Sequence, residues 1–261
     1  MSRFIDKLNQ LSRAEPLPMG FRTKQSVSPK PKIQLVASLA QKNAGQLVDS
    51  VTGADAGLLR ISRPSSGAES LQDMSQAVSD IPWGVWLQDS AQEEIEQLLK
   101  ANCDFVVFSA TSTPLAIFQK DEVGKILEIE ASINEGLLRT VNGLPVDAVL
   151  IASEQKEDYI LTWQHLMLFQ RFADLLTKPL LVPTPPDLTS NELQALWEAG
   201  VDGIIIEVRV GQPQDKLTEL RQIIDKLTFP LPRKREKMEP IIPRTSPESG
   251  VAVTEEEEEE E

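Results

Sequence analysis

Eight short apolar runs, rich in β-branched residues, recur between residues 33 and 208. Each has the length of a buried strand, and the stretches between them are polar and compatible with helices. Strands that alternate with helices predict βα units and a parallel sheet. The predicted strands are 33–37, 57–61, 84–87, 105–109, 126–131, 148–152, 180–182 and 204–208.

Several connecting stretches show the apolar stripe that is typical of a helix packed on a sheet. Thr189 or Ser190 is expected to cap the helix over 188–199, and Gly200 to end it just after its last turn. The other predicted helices of this kind are 90–101, 162–176 and 215–227.

A two-unit alternation gives a more specific prediction. Four strands follow a small or loop residue and an aspartate, and three of the other four follow a proline closely, at Pro31, Pro82 and Pro179. The two series keep the same spacing, which predicts four βαβα units. Eight parallel strands can close into a barrel without an exposed edge, so the predicted fold is a single α/β (βα)8 TIM barrel. An open doubly wound sheet is the alternative. The four aspartates, expected to bind backbone amides at turns, are Asp55, Asp104, Asp147 and Asp202.

Two segments flank the predicted barrel, which occupies residues 32–229. Residues 1–31 carry an amphipathic stretch with Phe4, Ile5, Leu8 and Leu11 on one stripe, which predicts an extra helix near the amino-terminal end of the barrel, followed by a linker. Residues 230–261 hold five basic residues against ten glutamates, and we expect this acidic tail to be disordered. The tail is either a solubilising segment or a docking site for a protein partner.

The aspartates before even strands, in phase with prolines before odd strands, make the chain resemble the phosphate-binding (βα)8 barrels. That group includes the histidine- and tryptophan-biosynthesis barrels, thiamin-phosphate synthase and the flavin-dependent nitronate monooxygenases. The resemblance implies a phosphate or flavin on glycine-rich turns after the seventh and eighth strands. Here those turns contain Pro183, Pro185, Pro186 and Pro213, and proline lacks the backbone N–H that a phosphate needs.

Composition narrows the function classes. The 261 residues carry a net charge of −14, which argues against a nucleic-acid partner. The sequence contains neither an apolar run long enough for a membrane span nor a signal peptide, so we expect no membrane partner and a cytoplasmic location. The single cysteine, Cys103, is predicted to be structural, and the single histidine, His165, to be a packed or surface residue. No metal site and no specific cofactor are predicted.

Polar residues that interrupt the strands supply the candidate chemistry. Their apolar neighbours must face the helices, so the polar side chains are expected to face the barrel interior or its C-terminal mouth, the end at which the strands finish. The candidates are Arg60 and Ser62 on the second strand, Glu128 and Glu130 on the fifth, Thr184 on the seventh, and Glu207 and Arg209 on the eighth.

Two interpretations of these charges stay open. In the structural interpretation they form a satisfied ion-pair network. In the functional interpretation Arg60 and Arg209 bind an anion in bidentate fashion, and Glu130 is the catalytic proton carrier, because burial beside Glu128 would favour its protonated form.

No catalytic constellation is complete in the sequence. There is no Walker loop and no G-x-G-x-x-G motif. The predicted function is therefore a non-catalytic or degenerate TIM-barrel binding or scaffold protein for an unknown ligand. The alternative is a lyase or isomerase that acts on an anionic metabolite, phosphorylated or not, at the C-terminal mouth.

Overall fold

In the computed structural model of the chain, eight parallel strands form a closed barrel in sequence order. The structure describes residues 2–12, 32–40, 51–61, 67–87, 101–115, 123–152, 160–209 and 215–227. Six residue pairs join the first strand to the eighth, so the alternative of an open sheet is wrong. The strands are β1 Gln34–Ala40, β2 Ala56–Ile61, β3 Trp83–Leu87, β4 Phe105–Ser109, β5 Gly124–Glu130, β6 Ala148–Ala152, β7 Leu180–Thr184 and β8 Gly203–Val208.

All eight predicted strands are confirmed, with differences at their ends. The largest difference is at β1. This strand was predicted to stop at Ala37, but it continues through Ser38 to Ala40. The extra residues pair with β2 on one side and, at Ser38 and Leu39, with β8 on the other. Barrel closure therefore lengthens this strand beyond its most apolar part.

Six α-helices lie in the described part of the chain. The predicted helices after the sixth, seventh and eighth strands and the amino-terminal helix are confirmed. The one predicted over 90–101 lies outside the described residues except Ala101, which is in a turn. None of the described helices is long and apolar enough to cross a membrane. The helices are α1 Arg3–Ser12, α2 Gly67–Ala77, α3 Glu135–Thr140, α4 Trp163–Leu175, α5 Ser190–Glu198 and α6 Lys216–Lys226.

Helix α5 shows how local sequence sets these boundaries. The side chain of Thr189 accepts a hydrogen bond from the Glu192 backbone N–H, and the Glu192 carboxylate accepts one from the Thr189 N–H at 2.8 Å. This reciprocal capping box satisfies two amides that the helix itself cannot. Gly200 has a φ of 87°, as predicted for the residue that ends the helix.

The apolar residues form two layers separated by the barrel wall. The outer layer lies between strands and helices and includes Leu59, Val85 and Ile129. The inner layer fills the amino-terminal half of the barrel with side chains such as Leu58, Val107 and Leu150.

Helix α1 closes the amino-terminal end of the barrel, as the sequence predicted. Phe4 is fully buried, and its ring lies 4.7 Å from that of Phe105. A Cβ atom added to Gly124 at the start of β5 would lie 2.5 Å from Ile5, so glycine there makes room for the helix. The side chain of Leu11, the last member of the predicted stripe, lies outside the described residues. The acidic tail, 230–261, lies outside them too, so its disorder and docking roles stay predictions.

The aspartates of the repeat bind backbone amides, as predicted. Asp55, Asp147 and Asp202 each donate their own N–H to the strand before them, and each accepts a backbone N–H from that strand at 2.8–2.9 Å. Asp104 differs, because its carboxylate accepts hydrogen bonds from the N–H groups of Arg3 and Phe4 at the start of α1. Three of the four aspartate side chains thus hydrogen-bond the preceding strand, and the fourth hydrogen-bonds the start of the amino-terminal helix.

Candidate functional site

Side chains from β2, β3, β5 and β8 meet inside the barrel above the inner apolar layer. Alternation along each strand directs them inward, since Leu58 on β2 and Ile205 on β8, two residues earlier, belong to the inner layer. We call this group the interior cluster. Its members are Arg60, Trp86, Glu128, Glu207 and Arg209.

Arg60 is the centre of the cluster. The central carbon of its guanidinium lies 4.5 Å from the ring centroid of Trp86, in a cation–π contact. Burial lowers the pKa of Arg60 most strongly and Arg209 lowers it further, while the charges of Glu207 and Glu128 raise it. Since a guanidinium keeps its charge in proteins, Arg60 is a fixed cation held partly out of water.

Glu128 is held by the same indole. Trp86 Nε1 donates a hydrogen bond to Glu128 Oε2 at 2.9 Å across the intervening strand β4. Burial raises the pKa of Glu128, and the Trp86 hydrogen bond and the Arg60 charge lower it less strongly. Glu128 is therefore a carboxyl group whose protonated form is favoured more than in water.

Glu207 and Arg209 complete the cluster from β8. Arg209 donates to Glu207 Oε2 at 3.0 Å, and the two side chains are 41% and 30% exposed, respectively. Arg209 is the more exposed of the two and follows the last residue of β8, so the pair extends towards the mouth.

Sequence reasoning missed two residues of this region. Trp86 packs in the inner layer and was not among the candidates, although a buried indole N–H needs an acceptor and its inward phase matches that of Arg60. Ser38, inward on β1, is 1% exposed, and its hydroxyl has no hydrogen-bond partner among the described residues. Ser38 is paired in register with Leu58 of the inner layer on one side and with Glu207 on the other, so its hydroxyl lies below Arg60.

The burial expected for Glu130 is wrong. Glu130 ends β5 and is exposed, and its carboxylate accepts a hydrogen bond from Ser132 Oγ at 3.0 Å. Pairing with β4 ends at Glu128, and only β6 still pairs with Glu130, so a side chain two residues beyond Glu128 reaches solvent. The buried carboxyl group of β5 is Glu128, and no described contact connects Glu130 to the interior cluster.

Two other predicted site residues lie apart from the cluster. Thr184 is buried at the end of β7, but it shares the phase of Val182, which packs in the outer layer. Its hydroxyl has no hydrogen-bond partner among the described residues. Ser62 lies outside the described residues.

The remaining nucleophilic or titratable candidates have structural roles. His165 Nδ1 accepts the Thr162 backbone N–H at 3.0 Å and thereby caps α4. Cys103 is buried, and burial raises the pKa of its thiol to about 12, which disfavours the reactive thiolate. No group of three or more potential metal ligands occurs within the described ranges.

The turn after β7 does not suit the phosphate that the family resemblance implies. Pro183, Pro185 and Pro186 follow one another closely there, and none of them has a backbone N–H to donate. The turn after β8 is outside the described residues from 210 to 214. We therefore derive no step through a bound phosphate at these turns.

Comparison with known proteins shows the fold. No protein-family model matches the sequence, and no curated protein matches it. A mutant tryptophan synthase alpha-subunit from Pyrococcus furiosus is 11% identical with a TM-score of 0.58, over 75% of this chain and 98% of that chain. Orotidine 5'-phosphate decarboxylase from Pyrococcus horikoshii OT3 is 13% identical with a TM-score of 0.56, over 73% of this chain and 100% of that chain. Nearly the whole of each of these chains is matched, so the expected fold resemblance is confirmed, and at these identities it extends to the fold alone.

Proposed function

We propose that this chain is a degenerate TIM-barrel binding protein that takes a small anionic ligand at the C-terminal mouth. The observation that carries the proposal is the interior cluster, in which Arg60 is held over Trp86 between Glu128 and Glu207. In TIM-barrel enzymes ligands bind at this end of the barrel. The inner apolar layer and helix α1 close the opposite end, which leaves the mouth as the route to the cluster.

Two features make an anion the expected ligand. Stacking on Trp86 orients the Arg60 guanidinium, whose planar fork of N–H groups matches the geometry of a planar anion. Arg209, at the wetter rim, can donate to the same ligand by exchanging its contact with Glu207. Ser62, which lies outside the described residues, stays a proposed ligand contact, whereas Thr184 does not, because it shares the outward phase of Val182.

A binding role is favoured because the other candidate reactive groups in the described part of the chain are engaged elsewhere. The repeat aspartates bind backbone, His165 caps a helix, and Cys103 is buried as a thiol. Glu130, the carboxylate proposed from sequence as a proton carrier, is exposed.

A lyase or isomerase is the second candidate, and Glu128 is the observation that favours it. Its pKa is raised by burial, and a carboxyl group whose protonated form is favoured in this way is suited to proton exchange with a bound ligand. In that case Glu128→Gln would abolish turnover of a ligand and retain its binding. Retained turnover would exclude this role for Glu128.

Arg60→Lys tests the proposed binding site. Affinities for inorganic phosphate and for small carboxylates would be measured by calorimetry. Lysine keeps the positive charge but loses the planar fork and the stacking, so the affinity of any anion that binds should fall about tenfold or more. Arg139→Lys on the exposed helix α3 is the matched control and should leave affinity unchanged. An equal loss of anion affinity in both variants, or no loss in either, would contradict a binding site at Arg60.

A further inference from the structure

Three large apolar side chains are exposed within a stretch of eight residues around the start of α4. Ile160, Trp163 and Met167 are 72%, 82% and 72% exposed, respectively. Trp163 and Met167 are four residues apart in the helix, so they lie on the same face, and Ile160 comes three residues before Trp163. We call these three side chains the α4 patch. The barrel core does not use them, because the buried face of α4 carries Phe169 and Phe172.

The α4 patch has the size of an interaction surface. A tryptophan side chain offers about 150–250 Å² for burial, and the three side chains together expose on the order of 400 Å². The largest apolar patch on a typical monomer covers about 300–600 Å² and is often functional. A standard interface buries about 800 Å² on each partner, so the patch supplies about half of one. The neighbouring exposed residues of α4 can add to this area.

The stretch of chain that carries the patch is uncharged, although the molecule is strongly acidic. The net charge of the chain is −14, yet residues 160–170 contain no aspartate, glutamate, lysine or arginine. The next charged residue of α4, Arg171, pairs with Glu135 of α3, and the Nε and Oε1 atoms are 3.4 Å apart. A charged partner would therefore gain no ion pair from this stretch. Two copies of so acidic a chain repel each other, and an uncharged surface is where they can approach most easily.

The chemistry of the patch is complementary to itself. In a two-fold contact, a residue of one copy that touches a second residue of the other copy is touched in return by its equivalent. When two α4 helices run antiparallel and cross midway between Trp163 and Met167, each indole meets the thioether of the other copy. Contacts between sulfur and aromatic rings are favourable, and antiparallel helices place opposite ends of their dipoles together.

We propose that this chain forms a two-fold dimer through α4, in which Trp163 of each copy packs on the partner's Met167. In the same arrangement Ile160 lies opposite the partner's Gln170, so no like charges meet in the contact. Because the patch is smaller than a standard interface, the dimer forms reversibly and depends on the protein concentration. This proposal does not depend on the interior cluster or on the ligand proposed for it.

Sedimentation equilibrium of the full chain tests the oligomeric state. The parent should pass from monomer towards dimer between about 1 and 100 μM, as expected for a weak interface. Trp163→Lys and Met167→Glu should each weaken dimerisation about tenfold or more, because each places an unpaired charge in an apolar contact twice per dimer. Leu115→Lys and Leu115→Glu are the matched controls, since Leu115 is 90% exposed on another segment, and they should dimerise as the parent does.

Mixing the two patch variants tests the antiparallel arrangement. In a mixed dimer the introduced lysine and the introduced glutamate meet on one side of the two-fold axis, and the native pair of Trp163 and Met167 remains on the other. The equimolar mixture of Trp163→Lys and Met167→Glu should therefore dimerise about tenfold or more tightly than either variant alone. A mixture that dimerises no better than its components would overturn this arrangement.

Fluorescence follows the same contact from the side of the indole. Trp83 and Trp86 are 2% and 6% exposed, so Trp163 should be the tryptophan most accessible to acrylamide in the monomer. Quenching of the parent should decrease as the protein concentration rises, whereas quenching of Met167→Glu should stay constant over the same range. Because the substituted side chains are exposed, both patch variants should unfold at the urea midpoint of the dilute parent.

Three outcomes would overturn the proposal. One is a parent that stays monomeric throughout this range while acrylamide still reaches Trp163. Another is a monomer in which Trp163 is protected from acrylamide, because the patch is then covered by its own chain. The third is a dimer that neither patch variant weakens, because that dimer uses a different surface.

Discussion

Glu128 and Glu130 face the same side of one strand, yet they occupy different environments. Glu128 is still inside the barrel wall, where Trp86 and Arg60 contact it, whereas Glu130 is at the end of β5 and is exposed. Periodicity gives the direction of a side chain, and depth along the strand decides its solvation. Of the two, only Glu128 has the burial that a proton-handling role would require.

Glu128→Gln should stabilise the protein relative to the parent as the pH rises. The pKa of Glu128 is raised in the folded state, so above about pH 4.3 the unfolded chain loses this proton before the folded chain does. The folded state then loses stability until the pH has passed the folded-state pKa. Glutamine can still accept from the indole and does not titrate, so the difference in urea midpoint should grow through this window and then level off.

The same carboxyl group can be followed directly by carbon-13 NMR. Trp86→Phe removes the hydrogen bond that lowers the pKa of Glu128, so this pKa should rise further. Trp83→Phe is the control, because the Trp83 indole bonds the Val78 carbonyl in the outer layer. An unchanged pKa of Glu128 in Trp86→Phe would contradict the hydrogen bond on which the cluster geometry depends.

Strand pairs are the elements that the aspartate repeat organises. Asp202 receives the Leu180 N–H at 2.8 Å at the start of β7, and Asp147 receives the Lys125 N–H at 2.8 Å in β5. These bonds satisfy amides at the beginning of a strand, before the regular ladder is complete. The regularly spaced aspartates of the sequence thus indicate hydrogen bonds that support strand pairing rather than catalytic groups.

Asp202→Ala should destabilise the protein by about 1–3 kcal/mol, because it leaves the buried Leu180 N–H without this acceptor. Asp202→Asn keeps an acceptor oxygen and should recover most of the loss. Urea denaturation measures both, and anion binding at the other end of the barrel should not change. A stability equal to that of the parent in Asp202→Ala would show that this bond does not support the strand pair.

For the whole molecule, closure of the sheet and helix α1 act together. Pairing of β1 with β8 removes both sheet edges, and α1 fills the amino-terminal opening with Phe4, Ile5 and Leu8. One end of the barrel is therefore apolar and sealed, and the other is charged. This asymmetry places the candidate site at the mouth.

Phe4→Ala should cost about 3–5 kcal/mol, since the ring is fully buried against Phe105. Leu137→Ala on α3 is the control, because that side chain is 55% exposed and should change stability by about 0.5 kcal/mol or less. Thermal and urea unfolding provide the measurement. Similar stability of the two variants would mean that α1 does not seal the barrel.

The sequence by itself determined the eight strands, most of the described helices and the inward phase of Arg60, Glu128 and Glu207. These follow from local periodicity, capping residues and a repeat that each segment carries within itself. Only the tertiary structure decided that Trp86 joins Arg60 to Glu128, that Ser38 is left with a buried hydroxyl, and that Glu130 reaches solvent. Depth and contact across the barrel depend on the register and closure of strands far apart in the chain, and no local pattern records them.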